Sequence, residues 1–475
     1  MDSSPLTGLL ACPQEVLDNI LAEVRPKFVS IAAVTRVCRK LYSAATPSLY
    51  QSVVIWQPVN VDRFARIIKD KPHLIPFIRR LQVHYHDIPD AGEDQPHMFQ
   101  LLDLIGFQPT IAKLVNLESL VMKADCLPRL EQPHLFRRPE ILPNLLSCKV
   151  PITLMSSSDS NILGVLGHDS SVWELWKIKP VYAALIHPSL ENLTLTHCAI
   201  KAHTQNRHKN GPLHPTPLKR LWLLNCRIGA TRLAEIMKYP RALKHITFKC
   251  EARGFQTDIH RIQTRQRYVE AIKLQSSSLE SLDLDIYLPW GKRTNLTSFS
   301  LLRDLTITPS HLAGNPTDDD YPEYSAVPMI GLLPPSLEHL TFRDSISRFR
   351  LYDSSRLERN SHIHEDFHLR DVYQLVARGE LPHLSRFTCV LAPPFSADDS
   401  ETAESGMANI SLQTYALKAE MFDATRTFTQ AFHELGVLLD ISQTDHSISM
   451  PENDEFKCPH ELSSYRAEPT RYTFW

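Results

Sequence analysis

Residues 217–228 read PLKRLWLLNCRI, and residues 189–200, which lie 28 positions earlier, read SLENLTLTHCAI. Both stretches place apolar residues with the spacing apolar-x-x-apolar-x-apolar, followed by a cysteine three residues after the last of them. The last two apolar positions are two residues apart, which is the alternation of a β-strand with one buried face. One such strand cannot bury its apolar face alone, so the duplication predicts strands that stack side by side.

The same spacing occurs ten times along the chain. The copies are Ile78/Leu81/Val83, Leu117/Leu120/Met122, Leu145/Cys148/Val150, Leu190/Leu193/Leu195, Leu218/Leu221/Leu223, Leu243/Ile246/Phe248, Leu279/Leu282/Leu284, Leu302/Leu305/Ile307, Leu337/Leu340/Phe342 and Leu384/Phe387/Cys389. Segments with helical periodicity, such as 61–74 and 231–240, separate several copies. Alternating strands and helices predict an α/β fold, here an irregular solenoid with a curved parallel sheet and outer helices.

The bulk composition is ordinary for a soluble globular protein. Of 475 residues, 43% are hydrophobic and 22% are charged, and the formal net charge is −2. This balance gives no electrostatic reason to expect a nucleic-acid partner or an anionic membrane surface. No apolar run reaches the roughly 18 residues that a membrane-spanning helix needs. We therefore expect neither a nucleic-acid nor a membrane partner.

The cysteines and the N-terminus predict a cytoplasmic or nuclear location, or both. The nine cysteines form no CxxC pair, and several lie inside strand-like apolar phrases, where free thiols behave as small hydrophobic groups. Reduced, buried thiols are the rule in these compartments. The first residues, MDSSPLTGLLACP, lack the basic region of a secretory signal peptide.

Residues 12–56 lack the repeated spacing and have helical periodicity instead. Pro13 suits the first turn of a helix. A stripe of apolar residues follows at helical spacing, namely Val16, Leu17, Ile20, Leu21 and Val24, and Pro26 ends it. A second stripe leads from Val29 to Val37. This pattern predicts three short helices.

The residue order of this stretch resembles an F-box. The matching positions are Pro13-x-Glu15-Val16-Leu17-x-x-Ile20-Leu21, Val37-Cys38-Arg39-x-Leu41-Tyr42 and Pro47-x-Leu49-Tyr50. The repeated phrase resembles the leucine-rich repeat LxxLxLxxN/C, with Cys198 and Cys226 at its N/C position. Over almost its whole length the chain is thus similar to fungal F-box proteins with degenerate leucine-rich repeats. The implied domains are an F-box-like helical domain at 1–56, a repeat domain at 57–441 and a tail at 442–475.

The resemblance implies a substrate-recognition subunit of an SCF-type cullin–RING ubiquitin ligase. Such a subunit binds a Skp-family adaptor, and through it a cullin, while its repeats bind a protein substrate of unknown identity. It is not an enzyme and needs no cofactor. The expected adaptor-facing residues are apolar, namely Pro13, Val16, Leu17, Ile20, Leu21 and Val37.

The residues between the apolar positions are expected to line the concave side of the sheet, where a substrate would bind. They include Arg220, Trp222, Leu224, His245, Lys249, Asp283 and Asp285. Their order predicts a surface that changes from basic to acidic along the repeats. Trp222 beside Arg220 is the type of residue pair that dominates protein interfaces.

Two other functions remain open at this point. Residues 364–368 read HEDFH, which matches the HExxH motif of zinc peptidases, with Glu380, Glu401 or Glu404 as a third ligand. The apolar stripe from Phe367 to Val376 favours a structural helix instead, so we expect no resident metal. His84 and His86 could also share a metal ion. The second alternative is a repeat scaffold without a ligase role.

Overall fold

A computed structural model of the chain describes residues 12–24, 28–55, 58–85, 107, 109–124, 141–151, 184–196, 199–200, 216–224, 226–250, 265–286, 294–309, 312, 331–343, 371–391 and 429–443. The HEDFH motif, His86, Cys198 and the predicted tail from residue 444 onwards lie outside these ranges.

Twelve strands form one open sheet in which every described pairing is parallel and neighbours follow chain order. They are β1 Ser52–Ile55, β2 Arg80–Tyr85, β3 Ser119–Ala124, β4 Ser147–Pro151, β5 Asn192–Thr196, β7 Arg220–Leu224, β9 His245–Cys250, β10 Ser281–Ile286, β11 Asp304–Ile307, β12 His339–Arg343, β13 Arg386–Leu391 and β14 Leu438–Gln443. Two further strands, β6 Ala199–Ile200 and β8 Arg227–Ile228, form a second small sheet. The prediction of an α/β fold with a parallel sheet is confirmed.

Each copy of the repeated phrase supplies one strand between β2 and β13. The first apolar residue lies in the turn before the strand, and the next two lie on the strand. Wherever the structure describes these side chains, they are buried in the core. In the two copies quoted first, the shared pattern extends beyond the main strand to a Cys-x-Ile, because each of these copies builds two strands. Their main strands β5 and β7 pair in the large sheet, and β6 pairs with β8. The buried Cys226 thiol donates towards the carbonyl oxygen of Leu195, at 3.4 Å, in the preceding copy.

The helices pack on one face of the sheet and complete its core. They are α4 Pro58–Asp70, α5 Ala230–Ile236 and α6 Arg265–Ile272, with further helical residues at 371–377 and 429–434. Each contributes buried apolar side chains to one core that it shares with the strands, among them Phe64, Leu233, Val269, Leu375 and Phe432. Burial of this apolar surface is the main favourable contribution to folding.

The N-terminal residues form a separate cluster of three helices. These are α1 Gln14–Val24, α2 Phe28–Val34 and α3 Arg39–Tyr50. The cluster has a small core of its own, which consists of Leu17, Leu21, Ile31, Leu41, Ala44 and Ala45. α3 contacts the 3-10 helix Pro72–Phe77, and Tyr50 packs against the core of the sheet. The cluster is therefore attached at the β1 end of the sheet.

The sheet begins earlier than the predicted domain boundary at residue 56. Ser52–Ile55 forms β1 and pairs with β2 along its whole length. Its apolar residues alternate, so that Ile55 is buried in the sheet core and Val53 packs against that core. The ten-copy spacing did not find this strand because Tyr50, an aromatic residue, takes the place of the leading aliphatic residue.

Small polar side chains connect successive repeats in the turn before the strands. Asn116, Asn144, Ser189, Ser278 and Ser336 each directly precede the first apolar residue of a copy. Their side chains donate hydrogen bonds of 2.8–3.1 Å to backbone carbonyl oxygens in the preceding repeat. These bonds satisfy carbonyl groups that no strand can reach, and thereby fix the spacing between repeats.

Charged residues that directly follow the first apolar residue form ion pairs between neighbouring repeats. The pairs are Arg79–Glu118 at 2.9 Å, Glu191–Lys219 at 2.7 Å, Lys244–Glu280 at 2.7 Å and Arg303–Glu338 at 3.6 Å. This explains why many copies open with Leu-Glu or Leu-Lys. The side chains are a third or more exposed, so each pair is worth at most about 1 kcal/mol.

His187, in the turn before β5, is expected to make stability depend on pH. Its side chain is buried, its Nδ1 lies 3.3 Å from the Ser189 hydroxyl, and no described residue is a hydrogen-bond partner of its Nε2. Burial lowers the pKa of His187 below its ordinary value of 6.5, so the folded chain binds a proton less readily than the unfolded chain. The stability is therefore complete above that ordinary value and falls as the pH drops through it, by at most about 1.4 kcal/mol per pH unit.

The measurement is urea unfolding of the wild type and of His187→Leu at about pH 7.5 and about pH 5.5. We expect the wild type to lose about 1 kcal/mol more than the variant between the two conditions. Equal losses in the two proteins would show that His187 does not titrate unfavourably on folding.

Candidate protein-interaction surfaces

The first candidate surface is an exposed apolar patch on the three-helix cluster. Val16 and Ile20, one turn apart on α1, are 42% and 39% exposed, and Val37, just before α3, is 68% exposed. Pro13 is also exposed. The ammonium group of Lys40 donates to the carbonyl oxygen of Cys12 at 3.1 Å, which brings the start of α3 beside the start of α1. We call Pro13, Val16, Ile20 and Val37 the helical patch.

Leu17 and Leu21, which the sequence placed with these residues, lie elsewhere. They are 1% and 3% exposed and belong to the core of the helical cluster. The reason is geometric, because the stripe on α1 occupies two adjacent rows, one containing Val16 and Ile20 and the other Leu17 and Leu21. The second row packs inward against α2 and α3. These two leucines can therefore support the patch but cannot form its surface.

The second candidate surface is the face of the sheet opposite the core, which we call the polar face. Strand register aligns its side chains in rows that run across the strands. Arg220 is level with His245, Trp222 with Thr247, and Leu224 with Lys249. On β10, Thr247 is level with Asp283 and Lys249 with Asp285. The structure thus brings all seven predicted substrate-binding residues onto three adjacent strands. Arg220 is exposed and the other six are half-buried.

Asp283 lies at the centre of an ion-pair network on the polar face. Its two carboxylate oxygens accept hydrogen bonds of 2.8 and 3.1 Å from Arg343 Nη1, and Lys249 Nζ lies 3.5 Å away. Burial raises the pKa of Asp283, while Arg343 and then Lys249 oppose that increase. The carboxylate is therefore held by the protein's own cations and is a structural group rather than an open contact point.

Arg343 is a residue of this surface that the sequence did not reveal. It lies on β12, two strands away from Asp283 and 60 residues later in the chain. The intervening strand places the short side chain of Thr306 level with Asp283, and an arginine can extend over it. Only the register of three strands could have predicted this pair.

The predicted change from a basic to an acidic surface along the repeats is smaller than expected, because cationic side chains of the same face pair with the acidic ones. Besides Asp283, Asp304 on β11 is in contact with His339 Nδ1 on β12. The cations on β7 and β9 have weaker ion pairs with the described residues, since Lys249 lies 3.5 Å from Asp283 and Arg220 is exposed. The pKa of His245 is lowered, first by burial and then by the charge of Arg220 beside it, while Glu280 and Asp304 oppose that decrease.

Replacement of Arg343 by alanine is expected to lower the free energy of unfolding by about 1–3 kcal/mol, because Asp283 then keeps only the longer contact with Lys249. Urea unfolding measures this change. Arg303→Ala is the matched control, because it removes an arginine that is 63% exposed and whose ion pair is 3.6 Å long. We expect a loss below about 1 kcal/mol for the control. Equal losses would contradict the network.

The described residues offer no metal centre. Within the ranges that the structure covers, no group of three or more His, Cys, Asp or Glu side chains could hold a metal ion. The buried His84 contacts the Gln82 amide. Glu380 is half-buried beside the end of a helix, and its two companions Glu401 and Glu404 lie outside the described residues. None of the helices in the described part of the chain is long and apolar enough to cross a membrane.

Comparison with known proteins adds no family to this description. No protein-family model matches the chain, and no curated protein matches it significantly in sequence. The functional interpretation therefore depends on the helical patch and the polar face.

Proposed function

We propose that the protein is an F-box-type substrate receptor of an SCF-type cullin–RING ubiquitin ligase. In this proposal the three-helix cluster binds a Skp-family adaptor, and the repeats, which we take as degenerate leucine-rich repeats, bind a protein substrate. The observation that carries the proposal is the helical patch. The cluster has its own core and still leaves Val16, Ile20 and Val37 at its surface. Exposed apolar side chains contribute favourable free energy only when another molecule covers them, so a patch of them indicates a binding site.

The shape of the cluster supports a docking role over a simple cap. A cap that only protects the end of the sheet would direct its apolar residues toward β1. Here the row with Leu17 and Leu21 closes a separate core, while the row with Val16 and Ile20 faces away from that core. The basic residues Arg36 and Arg39 flank Val37 and are exposed, so the partner surface should combine an apolar groove with acidic residues.

A receptor of this kind performs no bond chemistry. It would hold a substrate close to the ubiquitin-loaded enzyme, so that transfer occurs between groups already in proximity. The cluster and the polar face belong to different parts of the chain, which would allow adaptor and substrate to bind at the same time. Such a complex would operate in the cytoplasm, the nucleus or both.

The test is co-expression of the full-length chain with a Skp-family adaptor, followed by affinity purification and size-exclusion chromatography. We expect a complex with one copy of each protein. If the folded chain elutes alone in repeated preparations, the receptor function is wrong. The second candidate, a repeat scaffold without a ligase role, would then explain the polar face and its interactions.

A further inference from the structure

Three adjacent strands carry a basic, aromatic area within the polar face. We call it the tryptophan patch and define it by the outward residues of β5, β7 and β9, namely Asn192, Thr194, Arg220, Trp222, Leu224, His245, Thr247 and Lys249. The described residues of these three strands include no aspartate or glutamate. Among the described strands, the acidic residues of the polar face lie from β10 onwards.

Trp222 lies at the centre of the tryptophan patch. Strand register places Thr194 on one side of it and Thr247 on the other. Both neighbours are short, so they leave the indole half-buried and partly open to solvent. The half-buried indole is already restricted by its neighbours, so it loses little conformational entropy on binding. Tryptophan is enriched at the centre of protein interfaces. The ring offers a flat contact for an apolar or aromatic group.

The charge around Trp222 is positive. Arg220 is exposed, and no described carboxylate lies within ion-pair distance of it. Lys249 reaches Asp283 only at 3.5 Å, because Arg343 holds both oxygens of that carboxylate at shorter distances. Lys249 is also level with Asp285 on β10, so the positive charge that remains for a ligand is centred on Arg220. A partner with negative charges on both sides of its apolar group would be complementary to this arrangement.

We infer that the tryptophan patch binds an acidic peptide segment that places one aromatic or large aliphatic side chain on Trp222. The segment carries aspartate or glutamate on either side of that residue, toward Arg220 and toward Lys249. The inference rests on the proposed receptor function and specifies the class of substrate that the receptor selects. Asp283 takes part indirectly, because it positions Lys249.

The experiment selects binders from a phage-displayed library of random 12-residue peptides on the immobilised full-length protein. A double variant, Arg220→Glu with Lys249→Gln, inverts the charge of the patch without placing a new carboxylate next to Asp283. The control is Lys113→Glu with Lys238→Gln, which changes the net charge equally at two exposed lysines outside the strands. Thermal unfolding of every variant, compared with the wild type, verifies that each is folded. Synthetic peptides from the wild-type selection are then titrated against all proteins.

We expect peptides selected by the wild type and by the control to contain an excess of acidic residues around one aromatic or large aliphatic residue. The double variant should bind them about tenfold more weakly and should not select acidic peptides. Trp222→Ala should keep the acidic excess but lose the preference for the central residue. Selections without an acidic excess, or with the same excess in the double variant, would overturn the inference.

Adaptor binding is measured on the same variants, so that the two hypotheses can fail separately. The tryptophan patch lies on β5, β7 and β9, whereas the helical patch lies on α1 and before α3, so none of these substitutions should alter adaptor binding. Acidic selection without adaptor binding would leave the peptide site and remove the receptor function. Adaptor binding without acidic selection would leave the receptor function and remove the peptide site.

Discussion

Replacement of Gln275 by leucine is expected to lower the free energy of unfolding by at least about 3 kcal/mol. Gln275 follows α6 and is buried. Its Oε1 accepts a hydrogen bond of 2.9 Å from the backbone N–H of Leu243, and its Nε2 donates to the carbonyl oxygens of Met237 and Pro240 at 2.8 and 3.0 Å. One side chain therefore satisfies three buried backbone groups in the turn between α5 and β9. A leucine of similar size fills the space but leaves all three without a partner.

Urea unfolding of the wild type and the variant gives this difference directly. Gln430→Leu is the control, because Gln430 is exposed and its side-chain amide donates a 3.1 Å hydrogen bond to Glu434 within the same exposed helical segment. We expect the control to change the stability by no more than about 0.5 kcal/mol. A loss below about 1 kcal/mol for Gln275→Leu would mean that the turn rearranges or that water replaces the amide.

A charge placed in the helical patch is expected to abolish adaptor binding while leaving the chain folded. Ile20→Asp and Val37→Asp each put a carboxylate where the proposed interface is apolar, and burying an unpaired charge is strongly unfavourable. We expect each variant to lose at least about 100-fold in affinity. Because both side chains are exposed, their replacement removes little packing within the protein.

Leu17→Asp provides the contrast and Lys113→Asp the control. Leu17 lies in the core of the helical cluster, so its replacement should unfold the cluster and remove binding together with helical circular dichroism signal. Lys113 is exposed and distant in sequence from the cluster, so its replacement should leave binding unchanged. If Ile20→Asp and Val37→Asp bind the adaptor like the wild type, the helical patch is not the docking surface.

The strands were predictable because each carries its own signal. An apolar residue at every second position marks a half-buried strand wherever it occurs, and ten such phrases gave the strands from β2 to β13. Their parallel direction followed from the intervening helices, which return the chain to the same edge of the sheet. The first strand was not found because the stretch from Tyr50 to Ile55 departs from the leading aliphatic position of the phrase.

The details of the candidate surfaces were less predictable because they depend on register and on which side of a helix faces inward. The ion pair between Asp283 on β10 and Arg343 on β12 spans the intervening strand β11, and no local pattern in the sequence identifies it. The same applies to Gln275, whose partners lie 32 to 38 residues earlier. On α1, the helical spacing assigned Val16, Leu17, Ile20 and Leu21 together to the adaptor-facing surface, and only the structure separated Val16 and Ile20 from Leu17 and Leu21.

The measurement that tests the central claim most directly is calorimetric titration of the purified full-length chain with a purified Skp-family adaptor. The receptor function predicts saturable binding of one adaptor per chain with a dissociation constant of about 1 µM or below. If the chain unfolds cooperatively on heating but shows no binding up to about 100 µM adaptor, the receptor function is contradicted.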